Sequence, residues 1–350
     1  MSAPILRPAS NIISHALSGL QLDRCEHLRK DTAWVEQQLL LPSTAVMLFD
    51  RESILHAPAR TTCLLPLQEV RALVPDVSEE IIFLGLTSTN GISSTSAAAP
   101  PHAITAKRIG KGDAEKHQAT FSSQGWEWMG IRNYLMTSAV DAPDVAAVVG
   151  LGKSMTHWHA TARYCAQCGA KTAVSEGGMS RACTGGCKEK DYPRINPCAI
   201  MLVLDGEGRC LLGKGKGRPF HTTLAGFMSH GESVEETVVR EVFEESGVGV
   251  SNVYYHSSQP WPFPCQLMLG FHAYADPQRR TIVADPHEMD DVQWMAKEDV
   301  RLALQGLHPT FTVPPPLSIS HQLIKAWVDG VVDDFGAPQV SRGGVAQSSL

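Results

Sequence analysis

Residues 226–248 read GFMSHGESVEETVVREVFEESGV, and the reading of this stretch decides the rest of the chain. Glu241, Glu244 and Glu245 stand at i, i+3 and i+4, so a helix would carry all three on one face. Like charges this close repel by about 0.2–0.5 kcal/mol per pair on an isolated helix. A shared cation offsets that cost. Carboxylate oxygens facing substrate phosphates are the usual surroundings of Mg2+ and Mn2+. A solvated acidic face is the ordinary explanation of clustered glutamates. Glycine at both ends, with Glu232 and Arg240 at fixed offsets, makes coincidence a poor account of this one.

Working outward, Ala199–Leu204 and Arg209–Leu212 flank Asp205-Gly206-Glu207-Gly208 and read as a hairpin. The acidic helix is expected from about Ser233 to Ser246, stopped by Gly247. Residues 253–255, 267–273 and 292–295 read as further strands, and 318–328 as a closing helix. Strands around a helix make the fold class α/β (α+β), an α/β/α sandwich. Residues 45–49 and 81–86 read as strands of a separate, strand-rich N-terminal domain. From about 88 to 120 the chain is rich in Ser, Thr, Ala, Gly and Lys and reads as a mobile insertion. Residues 141–162 show helical spacing, and the polar stretch 336–350 reads as a disordered tail. The expected organisation is thus an N-terminal domain over 1–155, a small cysteine-rich module over 160–192 and a catalytic domain over 193–335.

The 350 residues suffice for two domains. A formal charge of -6 argues against a dominant sequence-independent grip on nucleic acid. No apolar run has the length of a membrane span, and no secretory signal stands at the N-terminus. Of nine cysteines, four form Cys165-x-x-Cys168 and Cys183-x-x-x-Cys187, fourteen residues apart, a spacing of the zinc-ribbon kind. Four cysteine ligands leave no position for water, so this Zn2+ would be structural. Cys25, Cys63, Cys198, Cys210 and Cys265 are scattered and read as small buried thiols.

Downstream lies Ser258-Gln259-Pro260-Trp261-Pro262-Phe263-Pro264, where three prolines fix the backbone between two aromatics. The stretch at 226–248 resembles the Nudix box, and SQPWPFP resembles the motif of the NADH pyrophosphatase (NudC-type) branch of the Nudix hydrolases. The cysteines, Trp158-His159, Tyr192-Pro193-Arg194 and Ala225-Gly226-Phe227 match that branch as well. The resemblance covers about Trp126 to Val328 and is weak before that. It implies hydrolysis of NADH, and less well NAD+, to nicotinamide mononucleotide and AMP. It also implies a homodimer, and for some members removal of NAD caps from RNA. Glu241, Glu244 and Glu245 would hold Mg2+ or Mn2+, with the Ala225 carbonyl and Glu288. Glu232 and Arg240 would brace the loop and helix. Tyr192 and Phe227 would stack on the nicotinamide ring. Ser258, Gln259, Pro260, Trp261, Pro262, Phe263, Pro264, Cys265 and Gln266 would shape the dinucleotide pocket, with Ser320 near the substrate.

Two departures stand out. Ser229-His230 replaces the Glu-Pro usual in the box, and Cys265-Gln266 follows the second motif where Gln-Ser or Ser-Ser is usual. Two other readings stay open: a Nudix hydrolase of ADP-ribose, diadenosine polyphosphate or FAD, and a degenerate Nudix fold on a zinc-ribbon RNA-binding protein. SQPWPFP argues against the first, and the intact glutamates against the second. The expected address is cytoplasmic or peroxisomal, Ser348-Ser349-Leu350 being a weak variant of the import tripeptide.

Overall fold

The computed structural model describes residue 13 and residues 15–60, 63–74, 80–87 and 103–332. The expected tail at 336–350, including Ser348-Ser349-Leu350, lies outside them. The chain divides into two units, 1–195 with 260–266, and 196–259 with 267–350. The boundary at 195/196 falls beside the expected start of the catalytic domain. The cysteine-rich module clusters with the N-terminal residues rather than standing alone.

In the first unit, β1 (Leu22–Asp23), α1 (Thr32–Leu40), β2 (Ala45–Asp50), β3 (Ser53–His56), β4 (Leu65–Pro66), α2 (Leu67–Leu73) and β5 (Ile82–Thr87) come first. Then follow β6 (Ala103–Arg108), α3 (Lys111–Ser123), β7 (Glu127–Gly130), α4 (Ile131–Asp141) and α5 (Pro143–Thr161). Strands run β1-β5-β6-β2-β3-β7 across the sheet, with β4 also on β2. Val46, Leu48, Leu55, Leu65, Phe121 and Trp126 close the core over it. The expected insertion is corrected here. Residues 103–108 form a strand parallel to β2, and 111–123 form a helix. Ala103, Ile104, Thr105 and Ala106 are all buried, so both faces are covered and no alternation marks the strand. Residues 88–102 lie outside the described residues.

Short strands β8 (Thr172–Ser175), β9 (Ser180–Cys183) and β10 (Lys190–Asp191) form the small sheet β10-β9-β8. Its anchor is polar. Buried Arg181 donates to His159 Nδ1 at 2.9 Å, to the Thr172 carbonyl at 2.9 Å and to Glu80 at 2.9 Å. Because Nδ1 accepts, His159 Nε2 donates, to the Gly178 carbonyl at 2.8 Å. Burial pushes the His159 pKa down to about 4, so the imidazole is neutral.

The second unit holds β11 (Asn196–Leu204), β12 (Arg209–Gly215), β13 (Leu224–Phe227), α6 (Val234–Ser246), β14 (Val250–Trp261), β15 (Gln266–Ala275), β16 (Met289–Ala296), α7 (Lys297–Leu304) and α8 (Ile319–Val328). The sheet order is β14-β15-β11-β12-β16, with β13 also on β11. The hairpin, helix and strands expected from 199 to 328 match these elements. Val238 and Val242 of α6 pack with Met201, Val203, Leu211, Leu224 and Phe271. That packing fixes which face of α6 turns inward, and with it the depth of each glutamate.

Candidate functional site

Both ends of α6 are fixed by local chemistry. Ser233 and Glu236 form a capping box, Glu236 N–H donating to Ser233 Oγ at 3.2 Å and Ser233 N–H to Glu236 Oε2 at 2.7 Å. Gly247 closes the helix in the left-handed region at φ 73°, its N–H donating to the Phe243 carbonyl at 2.7 Å. The three glutamates therefore fan from water to core. The Glu244 side chain is 56% exposed and that of Glu241 12%, while Glu245 lies buried on the side of Val238 and Val242.

Arg240 holds this acidic group together. It grips Glu232 in a fork, Nε to Oε1 at 2.5 Å and Nη2 to Oε2 at 2.9 Å. Its Nη1 reaches Glu241 at 2.7 Å and Glu244 at 2.8 Å, and Nη2 also donates to the Phe227 carbonyl at 2.9 Å. Glu232 also accepts from Ser229 N–H and Thr237 Oγ1, both at 3.0 Å. The hydrogen bonds from Arg240 and the Ser229 amide hold the Glu232 carboxyl down at about 2. This fork joins Glu232 and Arg240, the pair expected to brace the loop and helix. The loop keeps that brace although Ser229 brings no carboxylate.

Glu245 has no such relief. Its Oε2 is buried without a hydrogen-bond partner. Burial, then the charge of Glu241, pushes its pKa up to about 8, against a backbone hydrogen bond from Ala225. Glu288 and Glu244 push the same way, so the charge of Glu288 is felt at this side chain. Burial also raises Glu241. The structure does not draw the oxygens of Glu241, Glu244, Glu245 and Glu288 to one point. Among the described residues, the four cysteines are the only group of three or more such residues with ligand atoms all within 4.8 Å of one another. Glu241 and Glu244 are turned to Arg240 instead. An unpartnered, buried carboxylate oxygen surrounded by further carboxylates nonetheless fits a divalent cation, whose charge would remove the penalty.

Gly226 shows why this loop needs glycine. A Cβ built there would fall 1.9–2.2 Å from the carboxyl atoms of Glu241. Gly226→Ala is expected to displace that carboxylate and lower kcat by about ten- to a hundredfold, the range seen when groups supporting metal ligands are lost. Steady-state kinetics and a titration of activity against metal concentration check this. Native kinetics would show that the close approach has no role in turnover.

In the first unit, the four sulfurs lie at the corners of a small tetrahedron. Cys165–Cys187 is 3.6 Å, Cys168–Cys183 3.5 Å and Cys168–Cys187 3.4 Å. With bonds of about 2.3 Å, a tetrahedral Zn2+ fits those edges. Amides of Cys168 and Gln167 bring the Cys165 thiol down to about 7. At Cys187 the Glu189 amide pulls downward, but the neighbouring sulfurs push it up to about 12. Four thiols this close do not all ionise without a cation. Gly169 turns at φ 72°, and a Cβ at Gly185 would sit 2.8 Å from that of Ala170, so both serve tight geometry around the sulfurs. Cys25, Cys63, Cys198 and Cys210 are buried, as their scatter suggested, and Cys265 is half-buried.

The expected substrate contacts divide between the units. Tyr192 and Pro260–Gln266 belong to the first, and Phe227, Ser258, Gln259 and Ser320 to the second. Tyr192 and Phe227 are about half exposed, at 52% and 51%, as stacking faces must be. Two of the expected contacts are buried inside the fold. Gln259 is fully buried; its amide donates to the Leu317 carbonyl at 2.7 Å and accepts from Ile319 N–H at 2.8 Å. It ties β14 to the start of α8. Ser320, 1% exposed, accepts from Thr223 Oγ1 at 2.9 Å, and its hydroxyl lies 2.8 Å from that of Thr222. Sequence reasoning missed this triad of hydroxyls. Its one trace was the Thr222-Thr223 pair just before the box.

The family model described as NUDIX domain matches residues 194–312, and the one described as NADH pyrophosphatase zinc ribbon domain matches 160–190. The chain is 37% identical to Nudix hydrolase 19, chloroplastic, of Arabidopsis thaliana, across 60% of this chain and 57% of that protein. It is 41% identical to the NAD-capped RNA hydrolase NUDT12 of Homo sapiens, across 52% and 42%. With the NAD-capped RNA hydrolase NudC of Mycobacterium bovis it shares 37% identity, across 51% and 59%. The chain spans about half the length of these curated relatives. Among the described residues, no helix is long and apolar enough to cross a membrane. Residues 160–312 thus carry a NADH pyrophosphatase zinc ribbon domain followed by a NUDIX domain, in a mixed α/β chain similar to these relatives.

Proposed function

We propose that this chain hydrolyses the pyrophosphate bond of NADH, and of NAD+, to nicotinamide mononucleotide and AMP, and that it removes the same group from NAD-capped RNA. The observation that carries the reading is the buried, unpartnered oxygen of Glu245 at the deep end of the glutamate fan. Glu241, Glu244, Glu245, Glu288 and the Ala225 carbonyl are the proposed holders of Mg2+ or Mn2+. When bound, such an ion screens the pyrophosphate and lowers the pKa of a water. The chain's own part is to keep the carboxylates in place. Arg240 cancels charge between Glu232, Glu241 and Glu244, and Gly226 leaves room for Glu241. Phe227 and Tyr192 offer exposed rings for a base to stack on. The homodimer and the cytoplasmic or peroxisomal address implied by the resemblance belong to the same proposal.

The test is product analysis with purified protein, NADH and Mg2+ or Mn2+. AMP with reduced nicotinamide mononucleotide, abolished by EDTA, is the expected result. No cleavage by a folded, zinc-loaded protein would overturn it and turn the search to another dinucleotide.

A further inference from the structure

The segment 260–266 carries the chain from β14 to β15. Three prolines remove three amide donors, and an internal hydrogen bond runs from Phe263 N–H to the Trp261 carbonyl at 2.8 Å. Support comes from two helices of the first unit. Arg132, in the first turn of α4, places its guanidinium carbon 4.1 Å from the centroid of the Phe263 ring. The same ring meets Trp261 edge to face at 5.3 Å. From α5, Ser154 donates its hydroxyl to the Pro264 carbonyl at 3.1 Å. One turn earlier on that face, a Cβ built on Gly150 would lie 3.4 Å from Cγ of Pro262, which is buried. The helix thus passes directly behind the proline ring. Three contacts of different chemistry, a cation on a ring, a hydroxyl on a carbonyl and a bare backbone against a ring, converge on three consecutive residues.

We infer that Arg132 and Ser154 are positioning residues for residues 262–264, and that helices α4 and α5 thereby set how tightly the dinucleotide is bound. The inference rests on the proposed function, in which this segment shapes the substrate pocket. It assigns the N-terminal helices a part in substrate recognition. Arg132 is exposed, and a cation–π contact at an exposed site has a modest effect. Arg132→Ala is therefore expected to raise KM for NADH about three- to fivefold with kcat unchanged. Adding Ser154→Ala is expected to raise it about tenfold or more, since a second support is lost. Arg132→Lys keeps a cation over the ring and stays within about twofold of the native KM.

The experiment is steady-state hydrolysis of NADH by the full-length native chain and the three variants, with zinc content and circular dichroism as controls for folding. A merely structural role would reduce the fraction of active protein, lowering kcat while KM stayed put, and lysine would not restore it selectively. Native turnover with KM unmoved in the double variant overturns the inference alone. So does a fall in kcat without a change in KM. Absence of NADH turnover by the native chain overturns the proposed function and this inference with it.

Discussion

Glu245→Gln is expected to remove metal-dependent turnover, by about a thousandfold or more, while leaving the metal-free protein no less stable than the native chain. The first half follows from the role proposed for this carboxylate. A bound divalent ion supplies several kcal/mol of transition-state stabilisation, and about 4 kcal/mol is a factor of a thousand. The second half follows from its surroundings. Glu245 is 8% exposed, has one oxygen without a partner, and is pushed up to about 8 by burial and then by neighbouring carboxylates. Each of these opposes the charged form in the absence of a cation. Glutamine keeps the shape and removes the charge. Kinetics, together with thermal melts in EDTA, separate the two halves. Near-native turnover would sink the assignment of Glu245, and a melting point several degrees lower would sink its description as a group unfavourable to the fold.

The second large effect concerns zinc. Loss of the ion, by chelation or by Cys168→Ser, is expected to unfold residues 163–191. Structural zinc contributes on the order of 10 kcal/mol to folding in small zinc peptides. Little else here would replace it. The strands β8, β9 and β10 have four, four and two residues. The side chains buried among them are those of Cys165, Ser180 and Arg181, so the module has almost no apolar core. Metal analysis should give one zinc per chain in the native protein. Limited proteolysis mapped by mass should cut within 163–191 only after zinc is removed. A ribbon that resists protease without zinc would show that the Arg181–His159 anchor suffices.

What sequence revealed and what it hid have separable physical causes. The acidic helix was legible because its signals are local: a serine before it, a glycine after it, and apolar residues on one face. The cysteines were legible because metal ligands tolerate few spacings. The strand at 103–108 was hidden because both its faces are covered, and Ala103, Thr105 and Ala106 carry no strong apolar signature. The inward bonds of Gln259 and Ser320 were hidden for another reason. A polar residue beside a substrate motif suggests a ligand, yet each satisfies groups inside the fold. Which partner a buried amide or hydroxyl finds is a long-range property, 60 residues away for Gln259 and Ile319. The near-contact of Gly226 with Glu241 was hidden likewise, since Gly226 stood in the pattern only as a fixed letter.

The return of residues 260–266 to the first unit bears on how the protein is made. Ile195 ends the first run of that unit, and 64 residues, 196 to 259, separate it from the remaining piece (259 − 195 = 64). At ~5–20 residues per second, synthesis leaves an interval of roughly 3–13 s before that piece is even polymerised. Through that interval the faces of α4 and α5 that will receive Phe263, Pro262 and Pro264 are uncovered on the nascent chain. N-terminal residues therefore cannot finish folding first and wait. The loop carrying the aromatic pair is the last part of the unit to arrive, and synthesis of the second unit up to Gln259 precedes completion of the unit that begins before it in the chain.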